Sequence, residues 1–175
     1  MFLKKIITLV AVVLWSTNSF AQYNFDISKD EQSGQTMFVG RCTFDDLSEE
    51  TTFDWITLGS NEYNPEPAIT EQLKKILPSC DIVIFMGTWC DDTHNLLPKL
   101  YKTMLLSRCY TNYKMYAVDR NKKSKDNEQT PFKIEHVPTI IVLRNGVELG
   151  RIIETTKTTI EKDLLNIVQG TANNK

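Results

Sequence analysis

The chain has 175 residues with a formal net charge of −2 at pH 7, and 41% of its residues are hydrophobic. This acidic balance, without a dense Lys/Arg patch, gives no reason to expect a nucleic-acid-binding protein. The one basic cluster, Arg120 to Lys125, is short, and we interpret it as a solvated loop.

Residues 1–21 have the pattern of a secretory signal peptide. Two lysines precede an apolar segment over 6–15, and small residues follow at Ser19 and Ala21. An uncleaved membrane anchor is the alternative, but this segment is shorter than the roughly 20 residues that cross a bilayer. We therefore predict a periplasmic protein that begins at Gln22 and has no stable membrane insertion after cleavage.

The first part of the mature chain reads as an extension rather than as a core. Residues 22–35 are polar and aperiodic, and we interpret them as a loose arm. Residues 43–46 resemble a capping box that starts a helix, and the apolar spacing over 53–63 predicts a second short helix. A third helix is predicted over 68–77 and is stopped by Pro78.

The next segment alternates strand, helix and strand. The continuous apolar run over 81–87 predicts a buried strand, the apolar spacing over 92–107 predicts a helix, and 114–119 predicts a second strand. A strand, a crossover helix and a strand imply parallel neighbours with a right-handed connection.

The chain closes with a hairpin and a helix. Asn145-Gly146 separates two apolar runs, 139–144 and 147–154, and is a strong signal for a two-residue turn. A last helix over 160–168 is ended by Gly170. The order predicts an α/β fold: a central mixed sheet flanked by helices, with a helical N-terminal extension.

Cys90 is the residue that indicates chemistry most directly. It lies where the apolar strand gives way to the helix, and a helix N-terminus favours a thiolate, the reactive form of cysteine. Asp91 and Asp92 suit a helix N-terminus but are like charges that disfavour a neighbouring thiolate.

Four features of residues 68–170 occur together. They are Trp89-Cys90 at a strand end, Pro98 inside the following helix, His136-Val137-Pro138-Thr139 before the hairpin, and the C-terminal helix. On these features the chain resembles the thioredoxin superfamily. Within it, the chain is most similar to secreted bacterial thioredoxin-like proteins with a Trp-Cys-x-Asp-Ser/Thr site. The resemblance implies one thioredoxin-like domain over 36–175, with its core at 68–170.

The resemblance also implies how the site is arranged. A cis peptide bond before Pro138 would bring its loop against Cys90, and the backbone of Val137 would then face an extended substrate. Trp89 is expected to shield one side of the sulfur, although simple packing explains its position equally well.

Two positions depart from the superfamily pattern. The second, resolving cysteine is replaced by Thr93, and the buried acid on the incoming strand is replaced by Ile84. Cys90 can therefore attack a disulfide but cannot release it through a neighbouring thiol. The hydroxyl of Thr93 can donate to the thiolate, or Thr93 can be an ordinary first-turn residue of the helix.

The remaining cysteines were placed by strand and helix lengths. The strand after Cys80 rises by about as much as the helix before Cys109 descends, which puts these two residues at the same end of the domain. We predict a disulfide between them; two buried free thiols are the alternative. Cys42 is interpreted as a small buried hydrophobe or, alternatively, as a distant resolving partner for Cys90.

Two histidines flank the site in sequence. His94 and His136 could form a soft metal set with Cys90, but a helix-surface position and a loop position are the stronger explanation, because no ligand-pair motif is present. We therefore predict no metal site, and no cofactor is implied.

Two functions of different class follow. The first is a monothiol cell-envelope protein that reduces or isomerises protein disulfides through a mixed disulfide on Cys90, with an external thiol donor. The second is a non-catalytic thioredoxin-fold module that binds peptides or proteins. The retained nucleophile and Val137-Pro138 loop favour the first.

Overall fold

The computed structural model describes residues 24–110 and 112–170. The predicted signal peptide, 1–21, lies outside the described residues. The strands are β1 (Phe25–Lys29), β2 (Thr36–Cys42), β3 (Asp81–Met86), β4 (Tyr113–Ala117), β5 (Thr139–Arg144) and β6 (Val147–Ile153). The helices are α1 (Phe44–Glu49), α2 (Asp54–Glu62), α3 (Pro67–Ile76), α4 (Asp91–Leu106) and α5 (Ile160–Val168).

The six strands form one mixed sheet in the order β1-β2-β4-β3-β5-β6. Strands β3 and β4 are parallel, and β5 and β6 form the antiparallel hairpin at one edge. The predicted α/β fold, a central mixed sheet flanked by helices, is confirmed. Each predicted element of the core is present within a few residues of its predicted bounds.

Strand β3 separates two hydrophobic clusters because successive side chains point to opposite faces of a sheet. Ile82, Ile84 and Met86 join the main core, which the helices complete. Val83 and Phe85 join a smaller cluster with Val118 and Val137 of the loops beyond the strand ends. The second cluster also includes Trp89 and Cys90, so one face of the sheet supports the Cys90 region directly.

The interpretation of residues 22–35 as a loose arm is wrong for residues 25–29. These residues form β1, which pairs with β2 in antiparallel register from Phe25 opposite Gly40 to Lys29 opposite Thr36. The Phe25 ring is buried and stacks on Phe38 with centroids 4.3 Å apart. One buried ring on an edge strand produces too little alternation of apolar and polar residues for the sequence to predict this strand. The helical extension therefore begins with a β-hairpin.

The capping box predicted at residues 43–46 is present. Asp46 N–H donates to Thr43 Oγ1 at 3.1 Å, and Thr43 N–H donates to Asp46 Oδ2 at 2.7 Å. This reciprocal pair satisfies backbone donors that the start of α1 would otherwise leave open. In the described part of the chain no helix is long and apolar enough to span a membrane.

Candidate active site at the start of helix α4

Cys90 caps the N-terminus of α4, a helix of 16 residues. Its backbone is extended, and its N–H donates to the carbonyl of Gly87 at 3.0 Å in the turn that leaves β3. Its own carbonyl accepts from His94 N–H at 3.1 Å, which is the first helical bond. The half-buried sulfur therefore lies at the positive end of the helix dipole.

The Pro138 loop meets the sulfur from the other side. The Val137–Pro138 peptide bond is cis. The Cys90 thiol donates to the carbonyl oxygen of Val137 at 3.3 Å, although the two residues are 47 positions apart in the chain. The structure thus brings together the three residues Cys90, Val137 and Pro138 that the sequence placed in the site.

Trp89 is held beside the sulfur by three contacts. Its Nε1 donates to the carbonyl of Val118 at 2.9 Å. The ring crosses Gly87 closely, and the guanidinium carbon of Arg120 lies 4.6 Å from the ring centroid. This is the geometry of a cation–π contact.

Arg120 is a site residue that the sequence reasoning missed. The cluster at 120–125 was interpreted as a solvated loop, but the Arg120 side chain is only 33% exposed and forms two hydrogen bonds of 2.8 Å with Asp30. Its partner lies 90 residues away in the chain, so no local pattern could have revealed the contact.

Thr93 lies one helical turn after Cys90 and is completely buried. Its hydroxyl has no hydrogen-bond partner among the described residues, so it forms no hydrogen bond with the sulfur. The predicted donation from Thr93 to a Cys90 thiolate stays a prediction. Ile84, at the position of the missing acid, is also completely buried and belongs to the main core.

Cys42 lies in the sheet rather than at the site. It is 2% exposed and is paired with Met115 across the β2–β4 ladder. Burial, with a smaller contribution from the charge of Asp46, raises the pKa of the Cys42 thiol well above its usual range. This position agrees with its interpretation as a small buried hydrophobe.

Cys80 and Cys109 are both buried, without a bond between their sulfurs. Burial raises the pKa of Cys109 to about 12, with a smaller contribution from Cys80. Arg144 Nη2 donates to Cys80 Sγ at 3.5 Å. The disulfide between the two cysteines stays a prediction.

The two histidines point to separate partners. His94 Nε2 lies 2.8 Å from the carbonyl oxygen of Thr88, and its ring stacks on Trp55 at 4.5 Å between centroids. His136 Nδ1 lies 3.1 Å from Glu154 Oε1. Within residues 24–110 and 112–170, no group of three or more His, Cys, Asp or Glu side chains could hold a metal ion.

Comparison with known proteins identifies a family. The family model described as thioredoxin matches residues 68–166, which is more than half of the chain. That stretch runs from α3 through the Cys90 turn and the Pro138 loop to most of α5. No curated protein matches the chain significantly.

Several solved structures are similar at low identity. A protein of unknown function from Pseudomonas aeruginosa is 17% identical with a TM-score of 0.49, covering 72% of this chain and 78% of that one. Mitochondrial thioredoxin 3 from Saccharomyces cerevisiae is 16% identical with a TM-score of 0.37, covering 58% and 86%. Thioredoxin O2 from Arabidopsis thaliana is 21% identical with a TM-score of 0.34, covering 52% and 79%.

Proposed function

The chain belongs to the thioredoxin family, and we propose that it reduces or isomerises protein disulfides through a single thiol, Cys90. A redox function follows at the level of the family. The observation that supports a mechanism with one thiol comes from the start of α4. The half-buried Cys90 sulfur faces the Val137 carbonyl at 3.3 Å, and the next helical turn presents Thr93 instead of a second thiol.

The first step is attack by the Cys90 thiolate on one sulfur of a substrate disulfide. A sulfur–sulfur bond forms to Cys90, the substrate bond breaks, and the second substrate sulfur leaves as a thiolate that takes up a proton. The helix N-terminus stabilises the attacking thiolate before this step. The Val137 backbone, next to the sulfur, is the group that an extended substrate would meet.

The second step needs a thiol from outside the site. In reduction, an external thiolate attacks Cys90 and releases the substrate sulfur, and a second external thiol then releases Cys90. Two external thiols become one disulfide, and the substrate disulfide becomes two thiols. In isomerisation a thiol of the substrate itself attacks the mixed disulfide, and no net electrons are transferred.

The cellular context of this proposal rests on residues 1–21 and on the site sequence. The signal-like segment and the Trp-Cys-x-Asp-Thr site, residues 89–93, resemble those of secreted bacterial thioredoxin-like proteins. The substrates would then be periplasmic proteins with disulfides, and the donor an external thiol in the same compartment. Export can be checked by fractionation and by N-terminal sequencing, which should begin at Gln22.

Trapping the mixed disulfide tests the mechanism. The wild-type chain, incubated with insulin and quenched with acid, should accumulate a disulfide-linked conjugate with insulin, because Thr93 cannot resolve it. Dithiothreitol should release the conjugate. Cys90→Ser should not form it, whereas the matched control Cys42→Ser, which removes a buried thiol, should form it normally.

An absence of any conjugate from the folded wild-type chain would contradict the monothiol mechanism. If the chain then still bound an unfolded peptide, measured by fluorescence anisotropy, the non-catalytic binding module would replace it.

A further inference from the structure

The N-terminal hairpin contacts the Cys90 turn although it lies outside the residues that match the thioredoxin family. The hydroxyl of Thr88, two residues before Cys90, accepts from Phe38 N–H at 3.2 Å and donates to the carbonyl of Thr36 at 3.5 Å. These bonds tie β2 to the turn. A second contact, through Asp30 in the hairpin loop, extends to the active-site side chains.

Asp30 is a buried carboxylate whose two oxygens accept hydrogen bonds from Ser33 and Arg120. It is 2% exposed and accepts from Ser33 N–H at 2.9 Å and from Ser33 Oγ at 2.6 Å. It also accepts both forked bonds from Arg120. The Arg120 hydrogen bonds, followed by those of Ser33, hold the pKa of Asp30 well below its usual range, so the carboxylate is ionised at neutral pH.

Arg120 connects this carboxylate to the site. Its Nε and Nη2 bind Asp30 side by side, an arrangement that fixes the plane of the guanidinium. That plane lies over Trp89. The hydrogen bonds that Arg120 donates to Asp30 raise the pKa of Arg120, so the guanidinium stays charged. Trp89 and Cys90 pack on the same small cluster, which also contains Val118, two residues before Arg120.

We propose that Asp30 is a positioning residue that holds Arg120 over Trp89, so that the guanidinium charge stays beside Cys90 and favours its thiolate. This inference rests on the proposed function, in which Cys90 is the nucleophile. It makes the reactivity of the thioredoxin domain depend on a carboxylate from the N-terminal hairpin.

The charge of Asp30 alone would act in the opposite direction. A carboxylate near a thiol disfavours the thiolate, so removing that charge without moving Arg120 would make Cys90 more reactive. If Asp30 positions Arg120, removing the charge of Asp30 should instead make Cys90 less reactive, because an Arg120 side chain that is bound less firmly can turn into solvent. The elements around the sulfur also carry Asp91, Asp92 and His94 at the start of α4, Glu135 and His136 in the Pro138 loop, and Asp119 beside Arg120; the later turns of α4 add Lys99, Tyr101 and Lys102.

The test is the rate at which iodoacetamide alkylates Cys90 in the native full chain, measured as a function of pH. The other three cysteines are buried and should react slowly, and peptide mapping identifies the labelled residue. Asp30→Asn and Arg120→Met should each slow Cys90 alkylation at pH 7 by roughly three- to tenfold, the effect of one charge near a half-exposed group. Arg120→Lys, which keeps the charge but not the fork, should fall between wild type and Arg120→Met.

Asp26→Asn is the matched control. Asp26 also belongs to the hairpin and pairs with Lys125 in the same loop as Arg120, at 2.6 Å, but this exposed pair does not involve Trp89. The control should leave the alkylation rate and the indole N–H resonance of Trp89 unchanged, whereas Asp30→Asn and Arg120→Met should shift that resonance. The double variant Asp30→Asn/Arg120→Met should be no slower than Arg120→Met alone.

Three results would overturn the inference: faster alkylation in Asp30→Asn, an unchanged rate in Arg120→Met, or fully additive losses in the double variant. If Asp30→Asn fails to fold, Arg120→Met and Arg120→Lys decide the question alone. Alkylation needs no disulfide substrate, so a failure of the proposed reductase function, seen as missing insulin conjugates, is distinguishable from a failure of this inference.

Discussion

The indole ring of Trp89 occupies the space where a side chain at Gly87 would lie. A Cβ built on Gly87 would be 2.5 Å from Cε2 of Trp89 and 2.8 Å from its Nε1, closer than real Cβ contacts allow. Gly87 also supplies the carbonyl that accepts from Cys90 N–H at 3.0 Å. The end of β3 is therefore shaped so that Trp89 can fold back beside the sulfur.

We expect Gly87→Ala to displace Trp89 from its place. The added methyl group meets the ring, so the bond from Trp89 Nε1 to the Val118 carbonyl should be lost together with the Arg120 contact. The free energy of unfolding should fall by about 1–3 kcal/mol, as for other overpacked sites. Chemical denaturation and the indole N–H resonance of Trp89 measure the two effects.

A double-mutant cycle with Trp89→Ala isolates the cause. Once the ring is removed, Gly87→Ala should cost much less stability than in the wild-type chain. An equal cost in both backgrounds would show that the indole is not what excludes a side chain at position 87.

Thr93→Cys restores the two-cysteine spacing and should raise the turnover of insulin reduction supplied with a small dithiol. Resolution then becomes intramolecular, at a high effective concentration. We expect this position to tolerate a cysteine because a cysteine side chain is similar in size to that of threonine. The buried Thr93 hydroxyl has no hydrogen-bond partner among the described residues, so its replacement breaks no such bond.

Thr103→Cys is the control for that variant. Thr103 lies in the same helix, is equally buried and also has a hydroxyl without a partner in the described part of the chain, but it is three turns further from Cys90. It should leave turnover unchanged. If Thr93→Cys formed a bond to Cys90 without raising turnover, resolution would not be the limiting step, and Ile84 would be the next residue to change.

Glu161→Gln should destabilise the chain at neutral pH by about 1–3 kcal/mol, as expected when a buried charged acceptor is lost. Glu161, at the start of α5, is 3% exposed and accepts from Tyr63 Oη at 2.5 Å and from Glu66 N–H at 3.2 Å. Burial alone would raise the pKa of Glu161, but these hydrogen bonds outweigh it, and the pKa is lowered.

The direction of the pKa shift of Glu161 determines how the stability lost in Glu161→Gln depends on pH. A carboxyl whose pKa is lowered by folding stabilises the protein fully above its unfolded value of about 4.3, and this contribution is lost as the pH falls through the folded pKa. The difference between wild type and Glu161→Gln should therefore be largest near neutrality and shrink below about pH 4. A difference that grows in acid, in urea denaturation at several pH values, would contradict the assignment.

Counting the free thiols tests the predicted disulfide between Cys80 and Cys109. Alkylation after denaturation without reductant should label two thiols of the four, Cys42 and Cys90. Closing a segment of about 30 residues should contribute on the order of 3 kcal/mol, so Cys80→Ser should lose about that much under oxidising conditions and little under reducing ones. Four labelled thiols, or a Cys42–Cys90 bridge in the peptide map, would refute the pairing.

Local patterns were enough to predict the core elements and the position of Cys90, whereas the place of Val137 and Pro138 at the site was implied by the resemblance to the thioredoxin superfamily. The strand before Cys90, the helix after it and the Asn145-Gly146 hairpin each depend on residues close together in the chain. Apolar periodicity, a capping box and a turn dipeptide report backbone preferences that act over a few residues, and these preferences agree with the final fold. They placed the nucleophile at a helix N-terminus without any tertiary information.

The surroundings of the sulfur depended on the tertiary structure. Strand β1 pairs with β2, and its Phe25 ring stacks on Phe38. The hydroxyl of Thr93 is buried and has no hydrogen-bond partner among the described residues. Arg120 is bound by Asp30, although its sequence neighbourhood is that of an exposed basic loop. Asp30 and Arg120 lie 90 positions apart in the chain. Their contact depends on which surfaces the whole sheet brings together, a choice that no short window of sequence contains.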